Sequence, residues 1–491
     1  MVIRLTKDWW DEDKLDYIFD PKWFDEFKSY PQLTIPQKNS DGTAGIGKVG
    51  IVFWHEPDGQ TIFPAGVTYC DGKEFIFCYH PDYVNDPHTE PLSVTLPKRT
   101  EPYRYSDPEG KALLPFFDNL VSEGWLGLKQ RNACHHMEGL KDDILTTDNF
   151  EKQDSTVERY KRFLTFGRGF HGAVAVVDAV APDYVIATEE QEVEESMHAR
   201  GTLGGAQRKM LGVKADNDVR STGRREMSTH MVKMGHKTPE RMRRFPDMLE
   251  NEYMSLVATA KLLPEDKTAK AQITLLSGTD DKALIITRFD RNNKGGRHHF
   301  EEALQMMGQP SYKKYEGTYR DLAKLATKYL GEDGKKKVFM RIVGQLLMGN
   351  TDNHLKNFAF RQENGKWELT PNYDLLPTSL YKRSWLALGI KQGKYVLSRI
   401  NPRKIDLLGE ECGLSSDQTL EAVREIRAHI DDAKKAVMDD PCKYLAPEQK
   451  EKFCAMIDEL DKQMLAGYEA YYQHTFKRPA PNAKATGEGR A

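Results

Sequence analysis

Residues 349–378 read GNTDNHLKNFAFRQENGKWELTPNYDLLPT. Asp352 stands five residues before Asn357, and the stretch NFAFRQENGKWELT then folds back on itself around Asn364-Gly365, a pair that favours a tight two-residue turn. The hairpin delivers Asp374. A five-residue loop points both of its side chains into one cleft, and a hairpin returns its far end beside its start, so three oxygen ligands converge. This is a layout that kinases use for phosphoryl transfer. An Asp accepts the proton of the acceptor hydroxyl, an Asn five residues on binds one Mg²⁺, and an Asp beyond a short hairpin binds the metal that bridges the phosphates. An Asp and an Asn at this spacing arise by chance about once in a chain of average composition. The weight therefore falls on the hairpin and the third carboxylate.

The chain upstream supplies what such a site would need. TLGGAQRK, Thr202 to Lys209, is a glycine-containing loop followed by basic residues, placed to cover phosphates. It lacks the spacing G-x-x-x-x-G-K-[ST], which removes the main support for a P-loop nucleotidase. HMVKM at 230–234 reads as a strand that would hold the Lys233 ammonium over the cleft as a point charge for the α and β phosphates. A helix from about Glu250 to Leu263 follows, and Glu252 in its first turn is placed to pair with that lysine, although the helix dipole also favours an acid there. AQITLLS at 271–277 and ALIITRF at 283–289 read as two more strands.

Further out, VGIVFW, TIFPAGVTY and KEFIFCYH alternate with Asp-Gly turns between Val49 and about Pro97, a pattern of antiparallel hairpins. Apolar spacing turns helical from Leu113 to about Leu164 and closes with GRGFHGAVAVVD, a glycine-broken turn into a strand. After Arg297 the chain reads as helical apart from the one hairpin. The first 45 residues mix Trp9, Trp10, Phe19, Trp23 and Phe24 with acids, and the tail KRPAPNAKATGEGRA has no apolar periodicity and is expected to be disordered.

At 491 residues the chain is long enough for two or three packed subdomains. Its formal charge of -3 carries no message, but charge is unevenly placed. Eleven basic residues lie between Ala206 and Phe245 against four acidic ones, just after an acidic run at Glu189 to Glu195. Such runs form solvated faces or handle phosphate. The six cysteines show neither C-x-x-C nor finger spacing, which suits reduced thiols in a cytosol. Cys134-His135-His136 lacks the second ligand cluster that a metal site would need. No signal-peptide pattern opens the sequence and no apolar stretch of membrane-spanning length follows, so a cytoplasmic protein with no membrane partner is expected.

TLGGAQRK, MVK, ENEY, TRFDR, GNTDNHLKN and PNYDLLPT occur in the order and spacing of HipA-type kinases, and PLSVTLP and GRGFHGAVAVV are similar to that family's N-terminal subdomain. The chain resembles this family over roughly residues 46–475. The resemblance implies an α+β, two-lobed protein-kinase-like fold, with a mixed α/β N-terminal lobe, a β-rich N-terminal subdomain and a mainly helical C-terminal lobe. The expected division is 1–45 an extension, 46–150 the HipA N-terminal subdomain, 151–295 the kinase N-lobe, 296–478 the helical C-lobe and 479–491 the tail. It further implies a serine/threonine protein kinase using ATP and Mg²⁺ and acting as the toxin of a toxin-antitoxin pair. By motif, Asp352 looks like the proton acceptor, Asn357 and Asp374 like the magnesium ligands, and Lys233 like the ATP lysine. The loop Gly204, Gly205, Ala206, Gln207, Arg208 and Lys209 resembles the phosphate-covering segment. Thr287, Arg288 and Phe289 resemble the adenine-side hinge, and His354, Leu355, Lys356 and Tyr373 would line the nucleotide site. Family members often autophosphorylate a Ser in the phosphate loop. Here the matching residue is Thr202, also a phosphate acceptor but β-branched. The partners implied are a HipB-like helix-turn-helix antitoxin, DNA only through that antitoxin, and a protein substrate, by family analogy an aminoacyl-tRNA synthetase. Two other readings use the same residues: a corepressor held by the antitoxin on operator DNA, and a small-molecule or lipid kinase, since the phosphotransfer machinery does not encode its acceptor.

Overall fold

The computed structural model describes residues 49–70, 72–137, 154–178, 208–215, 218–221, 227–235, 239–292, 294–363, 365–381, 384–391 and 393–477. The extension read at 1–45 and the tail at 479–491 lie outside them.

The apolar runs between the Asp-Gly pairs become Val49–His55 (β1), Ile62–Cys70 (β2) and Phe75–Tyr79 (β3). Each is buried along its whole length, as expected of strands covered on both faces rather than alternating between core and water. With Tyr103–Tyr105 (β4) and Val174–Asp178 (β5) they form an antiparallel sheet in the order β4-β3-β2-β1-β5. Thr156–Phe166 (α2) packs so closely on β1 that a Cβ added to Gly50 would lie 2.6 Å from Leu164 Cδ2. Behind the sheet, Phe77 meets Phe117 and Phe117 meets Phe163 edge-on, with centroids 5.0 and 5.6 Å apart. Gly124–Met137 (α1) precedes α2 in the chain. Because β5 pairs with β1, this sheet runs across the division expected at 150. The apolar run after GRGFHG finds its hydrogen-bonding partner in the open edge of β1.

Five strands then close into a barrel in the order β10-β8-β6-β7-β9. They are Lys209–Ala215 (β6), Asp218–Ser221 (β7), His230–Met234 (β8), Ala271–Leu276 (β9) and Lys282–Thr287 (β10). All barrel pairs are antiparallel except β7 with β9. Met248–Leu262 (α3) joins β8 to β9, and its apolar face belongs to the same core as the helical half of the molecule. That half contains Tyr319–Leu330 (α4), Asp333–Leu347 (α5), Pro402–Glu411 (α6), Ser416–Ala428 (α7), Ile430–Met438 (α8), Pro447–Met464 (α9) and Tyr468–Phe476 (α10). Helix α4 starts where a capping box says it should: Thr318 accepts from the Asp321 amide, and the Asp321 side chain answers at the Thr318 amide.

The expected hairpin is Ala359–Glu363 (β12) with Lys366–Leu369 (β13), in a register that leaves two residues for the turn. The sequence pattern predicts this hairpin standing alone. Phe300–Glu302 (β11) adds a third strand against β12, a segment too short for any periodicity to betray it. The fold is mixed α+β, with a β-rich N-terminal part, a small barrel and a helical C-terminal part. Among the described residues no helix is long and apolar enough to cross a membrane.

Candidate active site

The site forms where β8, α3 and the loop 349–357 meet the strand-exit segment 370–374. In the barrel, Lys233 on β8 lies directly across from Lys209 on β6, so two residues of the basic run are carried inside rather than on a solvated face. From α3, the Glu252 carboxylate accepts from Lys233 Nζ through Oε1 at 2.5 Å. Asp374 Oδ1 accepts from the same ammonium. One lysine thus joins the barrel, the helix and the segment beyond the hairpin.

Asp374 adopts φ +56, a left-handed conformation uncommon outside glycine that Asp tolerates better than most residues. Asn350 holds the segment from one side. Its Nδ2 donates to the Asp374 carbonyl at 3.2 Å, while its Oδ1 accepts from the Asp352 amide at 2.9 Å. Asn357 Nδ2 donates to the Asp352 carbonyl at 2.9 Å, closing the five-residue loop. Tyr315 donates its hydroxyl to Asp352 Oδ1 at 3.0 Å.

Charge states follow from these contacts. Burial lowers the Lys233 pKa, but Asp374 and Glu252 overcome it and hold the ammonium charged above its ordinary range. Asp374 is half-buried, and its partial loss of water works against the carboxylate too. Lys233 and then Lys209 outweigh it and hold Asp374 ionised well below the carboxylate range. Burial lowers Lys209. Burial, helped by Lys314, pulls His354 down to about 3, so its imidazole is neutral.

The residues also fit a hard divalent cation. Asp374 keeps its side chain 35% exposed and ionised. Asn357 spends its amide nitrogen on the loop, which leaves the oxygen as its acceptor end. Oxygen donors of this kind suit magnesium, which is bound by one or two protein ligands plus substrate phosphates. The Cys134-His135-His136 run does something else: His135 Nε2 meets Glu158 Oε2 at 3.0 Å and Cys134 lies near the Thr165 hydroxyl. Among the described residues no cluster of three or more His, Cys, Asp or Glu could hold a metal ion.

Not every expected residue turns inward. Leu355 is buried in the helical core. The Lys356 ammonium faces Glu123 and Glu302 at 3.5 and 3.4 Å and the Asn119 carbonyl at 3.3 Å, since a buried cation must find anions wherever its stem reaches. Arg288 grips Asp290 with two nitrogens and Ser228 with a third, so its side chain is spent on the strand exit. Thr287 is exposed at the end of β10. Phe289 packs on Phe300 and on Tyr373, whose hydroxyl donates to the Lys356 carbonyl at 2.7 Å. Arg208 donates to the Gly235 carbonyl at 3.2 Å. Thr202, Gly204, Gly205, Ala206 and Gln207 lie outside the described residues. Sequence reading missed Asn350 and Tyr315. Asn350, two residues before Asp352, carried a local signal, because Asn side chains bond to backbone two residues on. Tyr315 carried none.

Two family models match this chain: the HipA N-terminal domain over residues 63–147 and the HipA-like C-terminal domain over residues 201–434. The candidate kinase Y4mE of Sinorhizobium fredii is 27% identical over 340 residues, covering 65% of this chain and 76% of that protein. The serine/threonine-protein kinase toxin HipA of Shewanella oneidensis is 30% identical over 176 residues, 32% of this chain and 38% of that one. Among solved structures, HipA in the HipA, HipB and operator DNA complex of Shewanella oneidensis superposes with a TM-score of 0.62 at 19% identity, covering 85% of this chain and 99% of that one. At that identity the likeness shows the fold.

Proposed function

Because the chain belongs to the HipA family of kinases, we propose that it is a serine/threonine protein kinase that transfers the γ-phosphoryl group of Mg-ATP to a protein hydroxyl. The observation that carries this reading is the buried Lys233, shared between Glu252 of α3 and Asp374, with Asp352 and Asn357 tied to Asp374 through Asn350. A lysine held charged by an acid on a neighbouring helix is preorganised to meet the α and β phosphates, and phosphoryl transfer depends on such positioning. Asp352 takes the acceptor's proton as its oxygen bonds to the γ phosphorus, the bond to the bridging oxygen breaks, and ADP leaves. Magnesium, held by Asp374 and Asn357, would neutralise the phosphate charge that develops on the leaving group. The neutral His354 adds no charge beside it.

In this reading the protein is a cytoplasmic toxin. Its antitoxin is a HipB-like helix-turn-helix protein, through which alone it reaches DNA, and its substrate is an aminoacyl-tRNA synthetase. Phosphate on Thr202 would add about -1.5 to -2 charge to the phosphate loop, repel ATP and silence the enzyme.

The test is incorporation of label from γ-labelled ATP into a heat-treated bacterial lysate, with intact-mass measurement of the kinase itself. Wild-type protein should label proteins. Asp352→Ala should lower turnover at least about 10²-fold, as expected for a lost general base, with folding intact. Label in a lipid or metabolite fraction instead would favour the small-molecule reading, and near-normal turnover in Asp352→Ala would sink the base assignment. A gain of one phosphate at Thr202 in the wild type alone would establish the self-silencing step.

A further inference from the structure

Tyr315 stands at the end of a segment that the N-terminal part of the protein grips along its length. Asn119 Nδ2 donates to the Gln309 carbonyl at 2.9 Å, and the Ser311 amide donates to Asp118 Oδ2 at 2.8 Å. Arg159 Nη2 donates to Ser311 Oγ at 2.9 Å, and the Tyr312 hydroxyl donates to Asp107 Oδ1 at 3.0 Å. Lys314 Nζ reaches Glu123 Oε2 at 2.7 Å. Asp118, Arg159 and Ser311 are all buried, so the bonds that Ser311 makes to the other two are shielded from water and hold their geometry. On its other side the segment is stitched to the catalytic loop, where the Leu355 amide donates to the Lys314 carbonyl at 3.2 Å. The Tyr315 ring stands edge-on to His354, with centroids 5.1 Å apart and planes at 82°. Backbone and ring are therefore both fixed before the hydroxyl meets Asp352 Oδ1 at 3.0 Å.

We propose that Tyr315 is a positioning residue for Asp352: its hydroxyl fixes the plane of the carboxylate that takes the acceptor's proton, and the N-terminal part sets where that hydroxyl stands. The inference rests on the reading of Asp352 as the base. A carboxylate turns about its last torsion on a broad energy surface, so it needs an outside partner to define its plane. A phenol is suited to the task because it donates to the charged carboxylate at a fixed reach from a rigid ring. General-base transfer is sensitive to this direction as well as to distance.

The test is Tyr315→Phe, which keeps the ring against His354 and removes one oxygen, run beside wild type and Asp352→Ala on label transfer from γ-labelled ATP into heat-treated bacterial lysate. Turnover should fall about ten- to a hundredfold, the scale of one hydrogen bond to a charged group, while KM for ATP stays as in wild type. The acid limb of the turnover profile should move to higher pH, because the lost donor favoured the ionised carboxylate. A residue that merely packs would move neither. Wild-type turnover and profile in Tyr315→Phe beside an inactive Asp352→Ala would overturn the role of Tyr315 alone, and so would a rise in turnover. A wild-type protein without transfer, or an Asp352→Ala variant with full transfer, would overturn the reading of the site and the role of Tyr315 with it.

Discussion

Lys233 shows how one residue can organise a site. Placed alone in the barrel wall it would hold its proton less tightly, since a buried ammonium loses its hydration. With Glu252 and Asp374 both accepting from it, it stays charged and in return keeps Asp374 ionised. Asp374→Ala would remove the carboxylate that accepts from the lysine and to which the proposed function gives the cation. Mg²⁺-dependent ATP binding should then weaken about a hundredfold or more, because the phosphates lose their bridging cation. Titration of ATP with and without Mg²⁺ measures this, and equal affinity in Mg²⁺ for variant and wild type would remove Asp374 from the metal role. At this scale the sequence was most legible where the chemistry itself dictates spacing. The spacing of Asp352, Asn357 and Asp374 predicts that a short loop and a hairpin bring them together, and hydrogen bonds through Asn350 and the Asp352 carbonyl do join all three. Lys356 lies in the same run, where the motif predicts a nucleotide contact, yet a long side chain goes where its charge is answered, here toward the ionised Glu123, with Glu302 also within reach. Tyr315 was invisible because its hydrogen bond spans 37 residues.

Elements follow the same division. The hairpin β12-β13 was readable from Asn364-Gly365, and Gly365 indeed takes φ +73, while β11 could not be found because three residues hold no pattern. Gly349, the first residue of the stretch that decides the site, also has a positive φ, +69. The surroundings of the two glycines differ. A Cβ on Gly365 would meet nothing within 4 Å, whereas one on Gly349 would lie 2.4 Å from Ser379 Oγ and 3.0 Å from Met456 Sδ. Gly365→Ala should therefore cost about 1–2 kcal/mol of backbone strain alone and leave turnover intact. Gly349→Ala carries the same strain plus overpacking of about 1–3 kcal/mol more. The Gly349 carbonyl also accepts from the Ser379 amide, so the displacement reaches Asn350 and Asp352 and should lower turnover as well. Thermal midpoints and label transfer for the two variants compare the effects. Equal losses would mean that the turn, not the packing beneath the catalytic loop, sets the cost.

Across the whole molecule, the N-terminal sheet region and the helical half are joined through charge as well as through the segment that carries Tyr315. Glu123 from the N-terminal part, Lys314, Lys356 of the catalytic loop and Glu302 at the end of β11 form one cluster with two acids and two ammonium groups. The acids share it unequally. Glu123, although burial opposes it, is held ionised well below the usual range by Lys314 and Lys356. Burial pushes Glu302 up to about 7, and Glu123 beside it adds to the rise against the pull of Lys356. An upward shift means that the fold prefers the protonated Glu302 carboxyl. Its contribution to stability is then full below the ordinary value of 4.5 and drains away as pH climbs through 7, by on the order of a few kcal/mol. Glu302→Gln, which keeps the shape and cannot ionise, should lack this loss. Denaturation midpoints measured between pH 5 and pH 8 should fall more steeply for wild type than for Glu302→Gln. Parallel curves would show that Glu302 ionises in the folded protein as it does in the unfolded chain, and that the joint between the two halves is indifferent to pH in this range.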